Sequence, residues 1–168
     1  QVTGSDSSRD LHEVMDLLSG CRLPVPVWLD ALSSRVHGFR PEQLDELVRD
    51  GVLAWSGNLS QGNQRLLSFC APELGGREDP LRWPEERLDE NAQKIIGYLT
   101  ANGASFLHQM TSGLNEPPSI IAPELWNLIW AGWVTNASLD PAWGDKPQPQ
   151  RWQGRRRQSV WGRGRWSL

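Results

Sequence analysis

The sequence contains two similar halves. Apolar residues recur with the i, i+3, i+4, i+7 spacing of one helix face, first from Leu11 to Leu18 and again 81 positions later. A second pattern, in which a helix face is followed by a glycine and an apolar residue, repeats with the same offset. The matching sets are Leu11, Val14, Met15, Leu18, Leu44, Leu47, Val48, Gly51, Leu53 and Ala92, Ile95, Ile96, Leu99, Leu125, Leu128, Ile129, Gly132, Val134. Two patterns that share one offset predict two copies of one module.

Each copy has the element order of a winged helix. Helical periodicity and the turn residues between the segments predict three helices in the first copy, at 8–19, 27–36 and 41–50. Two strands around a Gly/Asn-rich turn follow, at 52–56 and 65–70. The second copy has helices at 88–101, 105–112 and 120–131. Its chain reaches Asp140-Pro141 soon after Val134, so its hairpin is expected to be short, missing or completed elsewhere.

These segments predict a mainly α fold with small β-hairpins, arranged as tandem winged-helix-like modules. The first module is expected to span 1–75 and the second 88–143, with a linker at 76–87. Residues 144–168 form a Trp- and Arg-rich segment, the basic tail. Its last residues are expected to be β-structure that starts an incomplete β-module and is ordered only where it finds a pairing partner.

The charge of the chain is strongly segregated. Seven of the 17 Lys and Arg residues follow Asp145 and none of the 20 acids does, so the preceding part has a net charge of −10. This acidic part, residues 1–145, is called the body. It repels nucleic acid at long range, whereas the basic tail attracts a polyanion or an acidic protein face.

The basic tail is the strongest nucleic-acid candidate in the sequence. Arginines supply salt-dependent affinity for phosphates, and indole faces accept stacked bases. The residues concerned are Arg155, Arg156, Arg157, Arg163, Arg165, Trp152 and Trp161. The alternative is a basic strand docked on the acidic body, with its tryptophans buried between them.

The first module offers two further candidate surfaces. The third helix of a winged helix commonly enters the major groove, which makes Arg40, Gln43 and Arg49 candidates. Four acids on the same short helix favour a packing role instead. In the first wing, Asn63 and Arg65 could contact phosphates or the minor groove, or could belong to a solvated turn.

The third helix of the second module has a second apolar face, made by Trp126, Trp130 and Trp133. A second face implies a second packing partner, such as the tail, the other module or a missing domain. Stacking of bases on these rings is the alternative, and packing is favoured.

No catalytic residue or metal site is predicted. The three histidines are far apart in sequence, no Ser or Cys has an evident base, and Cys21 and Cys70 are expected to be reduced, buried thiols. The chain has neither a GxxxxGK[ST] phosphate loop nor a DExH-like box, and no cofactor is expected for it. No apolar stretch is long enough to span a membrane and no secretory signal precedes the first helix, so a cytoplasmic protein is expected.

Three strings resemble the carboxy-terminal half of large helicase-related (Lhr) helicases, in the same order. They are LDELVRDGVLAWSG from Leu44, LWNLIWAGWVTN from Leu125 and GRWSL from Gly164. The chain departs from that family at Trp133, where an acid is usual, and at Ala137, where Asp is usual.

The resemblance implies an internal fragment of a bacterial, cytoplasmic ATP-dependent helicase of DNA repair, taken from its C-terminal extension. ATP and Mg would belong to the parent helicase core, and the partners would be single-stranded or duplex DNA and other domains of the parent. The fragment itself is expected to bind nucleic acid and to act as a scaffold. The alternatives are a protein-interaction or homo-oligomerisation module and part of a DNA glycosylase-like domain.

Overall fold

The computed structural model of the chain describes residues 4–74, 81–143 and 164–168. Within these ranges the helices and strands follow one another as two winged-helix units. The first unit contains α1 (Gly4–Leu17), α2 (Val25–Arg35), α3 (Pro41–Arg49), β1 (Ala54–Leu59) and β2 (Arg65–Cys70). The second contains α4 (Glu90–Asn102), α5 (Leu107–Leu114), α6 (Pro118–Trp130), β3 (Thr135–Asn136), α7 (Asp140–Trp143) and β4 (Trp166–Ser167). The predicted fold class is confirmed.

The predicted repeat is visible in the backbone hydrogen bonds that end the third helix of each module. Gly51 and Gly132 both have positive φ, at 74° and 83°, which is the conformation glycine favours after a helix C-terminus. The N–H groups of Val52 and Leu53 donate to Leu47 O. In the second module Trp133 and Val134 donate in the same way to Leu128 O. The shared glycine therefore makes the same turn from helix to strand in both copies.

This turn corrects the predicted start of the first wing. Val52 and Leu53 were expected in the strand, but their N–H groups are used in the glycine turn, so β1 begins at Ala54. Gly57 and Asn58 were expected in the connecting turn and instead pair with Leu67 and Leu66. The helix bounds differ from the predicted ones by a few residues. α2 and α6 begin two residues before their predicted starts, and each has a proline in its first turn.

The second wing is completed by the end of the chain. Thr135 pairs with Ser167 and Asn136 with Trp166 in antiparallel register. Trp166 also forms an isolated bridge with Ser105, in which both N–H groups donate to the opposite carbonyl at 2.9 and 2.8 Å. Leu67 makes the equivalent bridge with Leu23 in the first module. The expected β-structure at the chain end is therefore present, and its partners belong to the second module.

The two modules are packed directly against each other. Their buried residues form one hydrophobic cluster. The indole N–H of Trp55 donates to Asn136 O at 2.9 Å and to Ser138 O at 3.2 Å, and the Thr135 hydroxyl donates to Trp55 O at 2.6 Å. β1 therefore lies between its own partner β2 and the start of the second wing. The predicted module boundaries at 75, 87 and 143 stay predictions.

Gly57 allows a close approach between the modules. A Cβ at this position would lie 2.8 Å from both Ile129 O and the Trp130 ring. We expect Gly57→Ala to lower the free energy of unfolding by about 1–3 kcal/mol, because the backbone of α6 must shift to admit the methyl group. Urea denaturation followed by circular dichroism measures this change.

Gly97→Ala is the matched control. Gly97 lies on the exposed side of α4, and nothing lies within 4 Å of an added Cβ. This variant should be more stable by up to about 1 kcal/mol, since alanine favours a helix over glycine. Equal effects of the two substitutions would contradict a close contact at Gly57.

Candidate nucleic-acid interface

The third helix of the first module is tied to the protein. The Asp45 carboxylate is buried, forms an ion pair with Arg49 and accepts the Leu139 N–H at 2.9 Å. Gln43 Oε1 accepts the backbone N–H of Arg40 at 3.0 Å and so caps the start of α3. Of the three predicted DNA-contacting residues on this helix, Arg40 and Arg49 are exposed, and Arg49 has an acidic partner. α3 thus links the two modules.

The third helix of the second module is even less accessible. Seven of the 13 residues of α6 are buried, including Trp126 and Trp130, and none of the 13 is Lys or Arg. A helix that is apolar on nearly all sides is a core element. We therefore find no basic surface on α6 that could enter a DNA groove.

The first wing ends in an exposed polar tip. Ser60 N–H donates to Gln64 O at 2.8 Å, and Asn63, with φ of 60°, turns the chain back. The predicted contacts Asn63 and Arg65 are both exposed here. The Arg65 guanidinium carbon lies 5.0 Å from the Trp126 ring centroid and 5.6 Å from that of Trp130. One face of the wing therefore rests on α6.

The three tryptophans of the second apolar face contact the first wing and the linker. Trp126 and Trp130 are edge-to-face, with centroids 5.6 Å apart, beneath Arg65. The Trp133 indole N–H donates to Trp83 O at 2.8 Å, and the Arg82 guanidinium carbon lies 4.0 Å from the Trp133 centroid. These contacts supply the second packing partner that the sequence required.

Most of the predicted tail site lies outside the described residues, namely Trp152, Arg155, Arg156, Arg157, Trp161 and Arg163. Arg165 is described: it is exposed, and its guanidinium carbon is 5.4 Å from the Phe106 ring centroid. The neighbouring Trp166 is fully buried. All seven Lys and Arg residues of the tail, here called the basic run, lie in sequence between β3 and β4. The strands on both sides of the basic run therefore belong to the second module.

The tertiary structure also brings together a group that the sequence did not single out. Trp83 and Arg87, in the predicted linker, line a cleft with Arg65 of the first wing and Trp126 and Trp130 of α6. The Arg87 guanidinium carbon lies 4.2 Å from the Trp83 ring centroid. The four-residue spacing of Trp83 and Arg87 around a 3₁₀ turn was the available signal, but the contact with the wing could not be read from it.

The two cysteines and the residue types that can bind a metal were also candidates for chemistry. Cys21 and Cys70 are free thiols that are partly rather than fully buried, and burial raises the pKa of the Cys70 thiol. Across residues 4–74, 81–143 and 164–168, no three His, Cys, Asp or Glu side chains are grouped to hold a metal ion. None of the helices in the same ranges is long and apolar enough to cross a membrane.

Taken together, the fold defines a tandem winged-helix protein. Residues 1–71 match a family model for the winged-helix domain of large helicase-related proteins. In an alignment of 151 positions that covers 83% of the chain, it is 32% identical to a Mycolicibacterium smegmatis protein named Lhr helicase/probable uracil glycosylase. In an alignment of 132 positions that covers 73% of the chain, it is 27% identical to an Escherichia coli protein named Lhr helicase/uracil glycosylase.

The chain belongs to the large helicase-related (Lhr) family, as its sequence resemblance implied. It spans 9% of the length of each of these two relatives.

Asp45 provides a test of the link between α3 and the second module. Asp45→Ala should lower the free energy of unfolding by about 1–3 kcal/mol, because it leaves the buried Leu139 N–H without its acceptor. Glu46→Ala, at the exposed neighbouring position, should change it by no more than about 0.5 kcal/mol. Chemical denaturation of both variants measures the difference, and a neutral Asp45→Ala would mean that the link contributes nothing to stability.

Proposed function

We propose that this chain is a non-catalytic segment of an Lhr-type ATP-dependent helicase that binds nucleic acid and acts as a scaffold in cytoplasmic DNA repair. ATP, Mg and strand separation would belong to other parts of the parent protein. The observation that carries the proposal is the pairing of β4 with β3, the two strands of the second wing. Wings are elements through which winged-helix modules reach nucleic acid, and all seven basic residues of the tail lie in sequence between these two strands.

The accessible charges favour the wings over the third helices. Arg49 is paired with Asp45, and α6 carries no basic residue. The first wing exposes Asn63 and Arg65 at its tip. A scaffold that holds nucleic acid through its wings can keep both third helices in the core, where they join the modules.

A body with a net charge of −10 sets the geometry of such binding. Nucleic acid is repelled by most of the surface and attracted to the basic run, so the charge distribution favours one binding side. Other domains of the parent would contact the remaining surface. The protein-interaction, homo-oligomer and glycosylase alternatives stay predictions.

Salt dependence tests the proposal. At low salt the chain should bind oligonucleotides with an affinity that falls steeply as salt rises, because each neutralised phosphate releases counterions. Replacing Arg155, Arg156 and Arg157 together by Ala should lower the log–log slope by about two to three units. Fluorescence anisotropy titrations at several salt concentrations measure this slope.

The control is the double variant Arg40→Ala/Arg49→Ala, which removes the exposed positive charges at the two ends of α3. It should lower the slope by less than the tail triple does, since neighbouring acids already oppose phosphate there. Two results would contradict the proposal: an unchanged slope in the triple variant of Arg155, Arg156 and Arg157, or no binding by the unaltered chain at low salt. Either would mean that these arginines contact the protein and that the chain is an interaction module.

A further inference from the structure

A cleft of about 490 Å³ lies between the first wing and the second module. Its volume falls within the roughly 300–1,000 Å³ typical of small-ligand pockets. Asn63 and Arg65 form the wall on the wing side, and Trp83 with Arg87 forms the linker side. Asn127, Trp126 and Trp130 of α6 complete it. Three different parts of the chain thus converge on one concave surface.

The walls of the cleft are rich in flat groups. The Arg65 guanidinium covers the Trp126 ring, and the Arg87 guanidinium covers the Trp83 ring at 4.2 Å. Trp83 is half-buried and Arg87 is exposed, so a ligand can reach this pair from solvent. Aromatic rings and guanidinium planes are the groups on which proteins stack unpaired bases.

One of the residues that line the cleft, Trp130, has an unpaired hydrogen-bond donor. Trp130 is 3% exposed, and its indole nitrogen is the one buried side-chain N or O atom without a hydrogen-bond partner in the described parts of the chain. Buried polar groups are nearly always paired, so an unpaired one calls for an explanation. Trp130 is one of the residues that line the cleft, so a ligand bound there would lie beside the residue that carries this unpaired N–H.

The charges in the cleft select the chemical class of the ligand. Arg65 and Arg87 are balanced by Asp89 and Glu124, which line the same cleft. Asp89 already accepts the Ala92 N–H at 2.8 Å as the cap of α4. A lining with two positive and two negative groups does not favour a phosphate inside the cleft. It fits an uncharged, flat group with polar edges. Any phosphates of the same ligand would stay at the rim of the cleft.

We propose that this cleft binds one unpaired base of a single-stranded nucleic acid, stacked on Trp83. The inference rests on the proposed nucleic-acid binding and adds a site to it. The basic run supplies sequence-independent affinity for the backbone. The cleft supplies a preference for strands whose bases are free to leave the stack.

Three probes separate these contributions on the full chain: an oligothymidylate, an abasic oligonucleotide of the same length, and a duplex of the same length. The chain should bind the oligothymidylate about 5- to 100-fold more tightly than the abasic strand, the range expected for stacking of one base. Trp83→Leu should remove this preference and leave the affinity for the abasic strand unchanged. Trp143→Leu, which changes another half-buried tryptophan outside the cleft, should keep it.

Two further measurements do not depend on the folding of the Trp83 variant. The indole N–H resonance of Trp130, assigned with Trp130→Phe, should shift when oligothymidylate is added to the unaltered chain and should not shift with the abasic strand. Arg87→Gln should weaken oligothymidylate binding more than Arg35→Gln does, although each removes one exposed positive charge.

The possible results distinguish the two proposals. Equal affinities for the oligothymidylate and the abasic strand, with an unmoved Trp130 resonance, would overturn the base site and leave salt-dependent backbone binding intact. Oligothymidylate binding no tighter than duplex binding would likewise contradict a site for an unpaired base. If no oligonucleotide binds at low salt, both the proposed function and the proposed base site are wrong.

Discussion

The contact between β1 and the start of the second wing holds the structure together. Trp55 donates its buried indole N–H to two carbonyls of the second module, and the absence of a side chain at Gly57 lets β1 approach Ile129 and Trp130. A buried donor that loses its acceptors costs more than a hydrogen bond normally contributes, so the modules must stay in register. The two winged helices therefore behave as one packed unit in which each completes the core of the other.

This packing decides which surfaces remain for a partner. Third helices, which in single winged helices are free to enter a groove, are here used to join the modules: α3 through Asp45, and α6 through its buried tryptophans. Exposed polar groups on the first wing and at the rim of the cleft beside it remain open to a partner. The proposed binding of nucleic acid through the wings and the cleft would use these surfaces and leave both third helices in place.

Much of the fold was predictable because it depends on local patterns. Helical periodicity located the six helices of eight or more residues that the described parts of the chain contain, and the paired glycines Gly51 and Gly132 end α3 and α6 by the same turn. The start of β1 was misplaced by two residues, since a sequence does not reveal that the N–H groups of Val52 and Leu53 are used in that turn. Among the candidate site residues, the exposure of Asn63 in the polar turn and of Arg65 directly after it followed from the sequence, whereas the partners of Arg49 and of the α6 tryptophans did not.

The sequence by itself determined the repeat, the winged-helix order of the elements and the segregation of charge, because each of these depends on residue type and spacing alone. Only the tertiary structure decided that Trp166 closes the second wing, that Asp45 binds across the module interface, and that Arg65, Trp83 and Trp130 share a cleft. The residues in these contacts are tens of positions apart in the chain. Which of many apolar and polar groups meet is set by how the two modules pack, and no local pattern in the sequence carries that information.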